Sequence, residues 1–174
     1  YINDLKDVLK FDIYISDRTK NIASYKYKIK KFLLTPKVIN NHQNYISCLF
    51  KYCLKFKIDL IIPLSDLDLL PLSINKSRFK KINTDILVSN KKVVEICEDK
   101  TKLNDFLNKY HLPYVKNLID LAEFEYPVVE KPQKGSGSKN IKIYKKNEIL
   151  SMKKGYIYQK KINSKEYGLD ILND

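Results

Sequence analysis

Apolar residues along the first half of the chain alternate between helical spacing and short strand-length runs. Ile2, Leu5 and Leu9 fall on one helix face. Phe11 to Ser16, "FDIYIS", alternates and predicts a strand. From His42 to Lys57, Ile46, Leu49, Cys53 and Phe56 line one side of a strong helix, thickened by Tyr45, Phe50 and Tyr52. It feeds the continuous apolar run "IDLIIP", Ile58 to Pro63, expected as a buried parallel strand. Ser65 or Asp66 suits the cap of a following helix, and "DILVS", Asp85 to Ser89, predicts another short strand. Helix and strand in alternation argue for an open, doubly wound α/β sheet over residues 1–90.

After Ser89 the pattern changes. A helical stretch begins at Val93. A second, "EDKTKLNDFLNKYHLP", puts Leu103, Phe106, Leu107 and Tyr110 on one face and is closed by Pro113. From Tyr126 the pattern is of strands: "YPVVEKP", "NIKIY", "YIYQKKI" and "EYGLDIL". The expected fold class is therefore α/β followed by α+β, with a second domain over residues 91–174.

Composition narrows the classes. At 174 residues and 44% hydrophobic, the chain can bury a core. No apolar run approaches the ~20 residues of a membrane span, and the charged residues soon after Tyr1 form no signal-peptide pattern. The three cysteines, Cys48, Cys53 and Cys97, have no metal-ligand spacing; they are expected as reduced thiols of a cytoplasmic protein. The net charge is +13, carried almost wholly by lysine: Arg18 and Arg78 are the only arginines. Readers of bases and phosphates favour arginine for its bidentate fork, so a dedicated nucleic-acid surface is not expected.

Candidate chemistry gathers where backbone freedom gathers. Of 4 glycines, Gly135 and Gly137 stand in "VVEKPQKGSGSKNIKIY", between two strand patterns and just after Lys131. Such a hairpin loop, with Ser136 and Ser138, can turn backbone N–H groups toward an anion. A flexible turn accounts for the same pattern equally well. A strand-to-helix phosphate loop and a dinucleotide fingerprint are both excluded, since no helix follows and no third glycine completes the pattern. Lys100 follows Asp99, the expected cap of its helix. A cation there opposes the helix dipole unless a phosphate is also bound, although a solvated lysine is the plainer alternative. Gln159 and Glu166 are spaced to flank a planar ligand and its sugar, a carboxylate being suited to a ribose diol.

"EDK" at Glu98 to Lys100, "VVEKPQKGSGS" at Val128 to Ser138, and "YIYQKKINSKEYGLDILND" at Tyr156 to Asp174 together resemble the ATP-grasp superfamily. The likeness is nearest to its carbamoyl phosphate synthetase large-subunit branch, whose preceding α/β domain "DLIIPLSDLDLLPLS" also resembles. The resemblance implies an ATP-dependent ligase that activates a small carboxylate as an acyl phosphate for attack by an amine or thiol. It implies ATP and magnesium as cofactors and allows a homodimer. Lys100 and Lys131 would contact the phosphates, Gly135, Ser136, Gly137 and Ser138 would form a lid loop, and Val129 would wall the base. Gln159, with Lys161 and Ile162, would lie along the adenine edge, and Glu166 would hold the ribose. Residues 91–116 would form a helical segment, about 117–162 the β lid, and 163–174 the start of a further lobe. Asn140 and Asn163 stand where the family usually has glycine, and asparagine tolerates the left-handed backbone. The family's magnesium ligands lie beyond the ribose glutamate, so the expectation is a truncated domain whose metal ligands lie past Asp174. The alternative is a non-catalytic module of the same fold, or a basic module binding anions or nucleic acid.

Overall fold

The computed structural model describes residues 11–21, 29–39, 41–120, 122, 125–135, 137, 139–146, 148, 151–165 and 167–168. The helix expected over Tyr1 to Leu9 and most of the strand expected in "EYGLDIL" lie outside them. The chain forms two compact units, Tyr1–Val94 and Glu95–Asp174.

In the first unit, β1 (Tyr14–Asp17) pairs in parallel with β2 (Lys31–Leu34), Tyr14 opposite Lys31. A second parallel pair joins β3 (Leu60–Ile61) to β4 (Asp85–Ile86). Between them in sequence run α1 (His42–Phe56) and α2 (Asp66–Lys80). Helix α1 forms where the apolar spacing predicts it. Asn41 caps it, its side chain accepting from the Asn44 N–H at 3.0 Å. Its buried face of Tyr45, Ile46, Leu49 and Cys53 meets Leu72 and Phe79 of α2 and Ile86 of β4. Phe79 is fully buried, with its ring edge-on to Phe50 at 5.4 Å. Thr84 ties the second pair together through its hydroxyl, which donates to the Ile58 carbonyl at 2.7 Å. Ser65 occupies the cap of α2, without a side-chain bond to the helix.

Two expectations shift, and one strand is new. The strand anticipated over Ile58 to Pro63 pairs only at Leu60 and Ile61, and Leu60, Ile62 and Leu64 stay exposed, Leu64 at 92%. The strand anticipated over Asp85 to Ser89 is likewise the pair Asp85–Ile86. Strand β2 has no counterpart in the sequence reading. "KFLL" carries too few residues for a period, so its partner β1 decides its state.

In the second unit, α3 (Lys91–Glu98, which begins in the first) is followed by Asp99 and α4 (Lys100–Lys109). Strands β5 (Val128–Pro132), β6 (Lys142–Tyr144) and β7 (Tyr156–Lys160) make an antiparallel sheet in the order β6-β5-β7. The glycine-containing segment joins β5 to β6, so the expected hairpin is present. Val128, Tyr144 and Tyr158 are buried on one face of this sheet.

Candidate functional site

Strand pleating places alternate residues on opposite faces. Val128 and Glu130 turn into the buried face, which leaves Val129 and Lys131 on the other. Register then sets their neighbours: Val129 stands opposite Gln159 and Ile143, and Lys131 opposite Ile157. Three residues singled out from sequence, Val129, Lys131 and Gln159, thus share one sheet face.

The loop beyond β5 is anchored to the start of α4. The Lys100 N–H donates to the Gln133 carbonyl at 3.0 Å, and Asp99 and Lys134 form an isolated antiparallel bridge. Asp99 is only 3% exposed. Its carboxylate caps α4, accepting from the Thr101 N–H at 3.0 Å and the Lys102 N–H at 3.3 Å, and both its oxygens receive the Gln133 amide at 3.0 Å. Burial pushes the Asp99 carboxyl up, but these bonds and the Lys134 charge outweigh it and leave it below the usual range. The Gln133 N–H in turn donates to the Gly155 carbonyl at 2.9 Å. Gly135 (φ 126°) and Gly137 (φ 70°) take the positive angles that glycine alone adopts without strain. Asn140 follows at φ 58°, as its glycine-like position predicts, whereas Asn163 is not among the positive-φ residues.

Two cations converge at this anchor. The Lys100 ammonium donates to the Gly135 carbonyl at 3.0 Å. Lys131 is half-buried, and its ammonium is held below the ordinary lysine value by burial first and by the Lys100 charge second. Among the described residues no carboxylate pairs with either. A pair of like charges beside open loop backbone is a place where an anion gains most.

Gln159 is 7% exposed, and its amide nitrogen donates to the Val115 carbonyl and to Asn117 Oδ1, both at 2.8 Å. Both amide donors are thereby used, leaving the side-chain oxygen as an acceptor. Lys161 follows β7, its N–H donating to the Pro127 carbonyl at 2.9 Å, and Ile162 is exposed. Ser136, Ser138 and Glu166 lie outside the described residues. Among the described residues no group of three or more His, Cys, Asp or Glu side chains is placed to hold a metal, and no helix is long and apolar enough to cross a membrane. Sequence reasoning missed Gln133 and Lys134 as loop anchors and Glu130 as a buried carboxylate. The polar run "EKPQKG" has no period from which a fixed partner could be read.

Residues 3–87 match the family described as PylC-like, N-terminal domain, and residues 97–174 match the ATP-grasp domain. No match was found among curated protein sequences. Among solved structures, the chain is similar to the L-amino acid ligase from Bacillus licheniformis, with a TM-score of 0.62 and 14% identity over 91% of this chain and 40% of that one. N5-carboxyaminoimidazole ribonucleotide synthetase from Thermotoga maritima gives 0.59 and 21% identity, over 88% of this chain and 40% of the other. Biotin carboxylase from Campylobacter jejuni, in complex with a β,γ-ATP ligand, gives 0.58 and 16% identity over 86% and 39%. At these identities the likeness is one of fold, and the chain spans well under half the length of each structure.

Proposed function

Because residues 97–174 match the ATP-grasp domain, we propose that this chain belongs to the ATP-grasp superfamily and is the nucleotide-binding portion of an ATP-dependent ligase joining a small carboxylate to an amine or thiol through an acyl phosphate. The observation that carries this reading is the convergence of Lys100 and Lys131 at the anchored base of the glycine loop. ATP, when bound, supplies the phosphoryl group that activates the carboxylate. The residues present fit its polyphosphate: two ammonium groups free of carboxylates among the described residues, one of them half-buried, gain from an anion what they now lack.

In this reading Lys131 neutralises phosphate charge from a fixed strand position, and Lys100 exchanges its bond to the Gly135 carbonyl for one to a phosphate oxygen. That exchange frees the loop to close, which excludes water from the site. Val129 walls the base, and the remaining acceptor of Gln159 faces an amino group on its edge, with the backbone of Lys161 and Ile162 alongside. Glu166 is assigned to the ribose hydroxyls. Magnesium belongs to the reading of the whole enzyme. Among the described residues no group of three or more His, Cys, Asp or Glu side chains is placed to hold it.

The test is a calorimetric titration of the chain with ATP. Binding should saturate, and Lys131→Ala should weaken it by about 1.5–3 kcal/mol, the range for a hydrogen bond to a charged group. Binding of single-stranded nucleic acid that falls steeply with salt, with ATP binding absent or indifferent to Lys131, would favour the basic-module alternative.

A further inference from the structure

Strand β5 begins Val128-Val129-Glu130-Lys131, two apolar residues and then two charged ones. A period-2 pattern cannot orient such a strand, because either pleat buries one valine and one charged side chain. A one-residue slip would exchange the faces of all four. Something other than apolar alternation has to choose.

Glu130 is only 2% exposed. Its carboxylate accepts from the Tyr144 hydroxyl of β6 at 3.0 Å, from the Tyr158 hydroxyl of β7 at 3.0 Å, and from the Lys153 ammonium at 2.8 Å. The Lys153 N–H also donates to the Tyr158 hydroxyl at 2.8 Å. Donors from both flanking strands and from the segment before β7 therefore meet on one carboxylate. Burying a carboxylate without such partners is prohibitive, and on this face Glu130 finds three of them. In the slipped pleat Lys131 would enter the same place and meet two hydroxyls and a second ammonium, with no carboxylate to receive it.

We infer that Glu130 is a positioning residue, whose buried bonds fix the pleat of β5 so that Val129 and Lys131 stand on the face of Gln159. Buried ionic groups are best attested in this role of setting register rather than adding stability. The consequence for nucleotide binding rests on the reading of Lys131 given above; the register itself does not.

The test compares two double variants in the full chain. Glu130→Leu/Lys153→Met replaces the ionic pair by apolar groups of similar size, and Glu130→Gln/Lys153→Met keeps an acceptor for the two tyrosines. Cross-strand NMR contacts of Val129 with Gln159, and of Lys131 with Ile157, read the register; titration reads the ATP dissociation constant. The leucine variant should melt near the parent temperature, yet show doubled or lost contacts and a dissociation constant raised at least tenfold. The glutamine variant should keep the contacts and bind within about threefold of the parent. A leucine variant with parental contacts and twofold-unchanged affinity overturns the inference. Should that variant not fold, Tyr144→Phe/Tyr158→Phe, which leaves both rings in place, is read by the same criteria. If the parent chain binds no ATP, the nucleotide reading fails, while the NMR contacts still decide the role of Glu130.

Discussion

Lys131 is a lysine whose charge is opposed twice, by burial and by Lys100. Its folded-state value lies below the ordinary 10.5, so the charged form costs the fold free energy at neutral pH. That cost is relieved as pH rises through the lowered value. A bound polyphosphate reverses the sign, since it favours the ammonium. ATP affinity should therefore decline as pH is raised toward 10.5, beginning below the range in which exposed lysines titrate. Calorimetry across a pH series checks this, and an affinity flat up to that value would count against phosphate contact. Cys53 offers a second residue-scale test. Burial pushes its thiol up to about 11, whereas Cys97 is exposed. Iodoacetamide at neutral pH should label Cys97 and spare Cys53 in the folded chain, as read by peptide mass spectrometry.

At the scale of elements, helices were more legible than strands. Helix α1 ends within a residue of its predicted limits because fifteen residues give its apolar face several turns in which to repeat. Two- and four-residue strands hold no comparable signal, and their pairing partners decide them. Helix α2 depends on what it packs against. Pro71 lies inside it, and its C-terminal Phe79 is fully buried against α1. Phe79→Ala should destabilise the first unit by about 3–5 kcal/mol, through lost burial and the cavity left behind. Denaturant unfolding followed by helical circular dichroism measures it. A loss below about 1 kcal/mol would mean that the pair α1 and α2 closes over the gap.

For the whole molecule, the shifted carboxyls of the two units respond to acid with opposite sign. In the second, Glu130 is pushed up by burial but pulled further down by Lys153, Tyr158 and Tyr144, and Asp99 is also held low. Carboxyls depressed in the fold contribute stability above their ordinary values of 4.5 for Glu and 3.8 for Asp, and that stability is lost as pH falls through the folded ones. In the first unit Asp68 is raised, by burial and by Asp17, against the Tyr45 hydrogen bond. Its charged form burdens the fold at neutral pH, and acid relieves it. On acidification, amide signals of Val129 and Ile157 should lose dispersion at higher pH than those of Ile46 and Leu72. Simultaneous loss, or loss in the first unit before the second, would contradict this. Two units of this kind need not unfold as one, so each is followed by its own residues.

Local sequence was enough to set which segments form helices and where α4 is capped. It also determined that a glycine hairpin follows Lys131, because apolar period, Asp99 and glycine chemistry all act over a few neighbouring residues. Asn140 adopted its left-handed angle for the same local reason. Tertiary structure alone decided which face of β5 carries Lys131, since Val-Val-Glu-Lys reads alike in either pleat and the deciding donors sit far along the chain at Tyr144, Lys153 and Tyr158. It also brought Lys100 to the Gly135 carbonyl, a contact across 35 positions. Such contacts depend on donor and acceptor geometry between separate elements, and no pattern along one segment encodes that geometry.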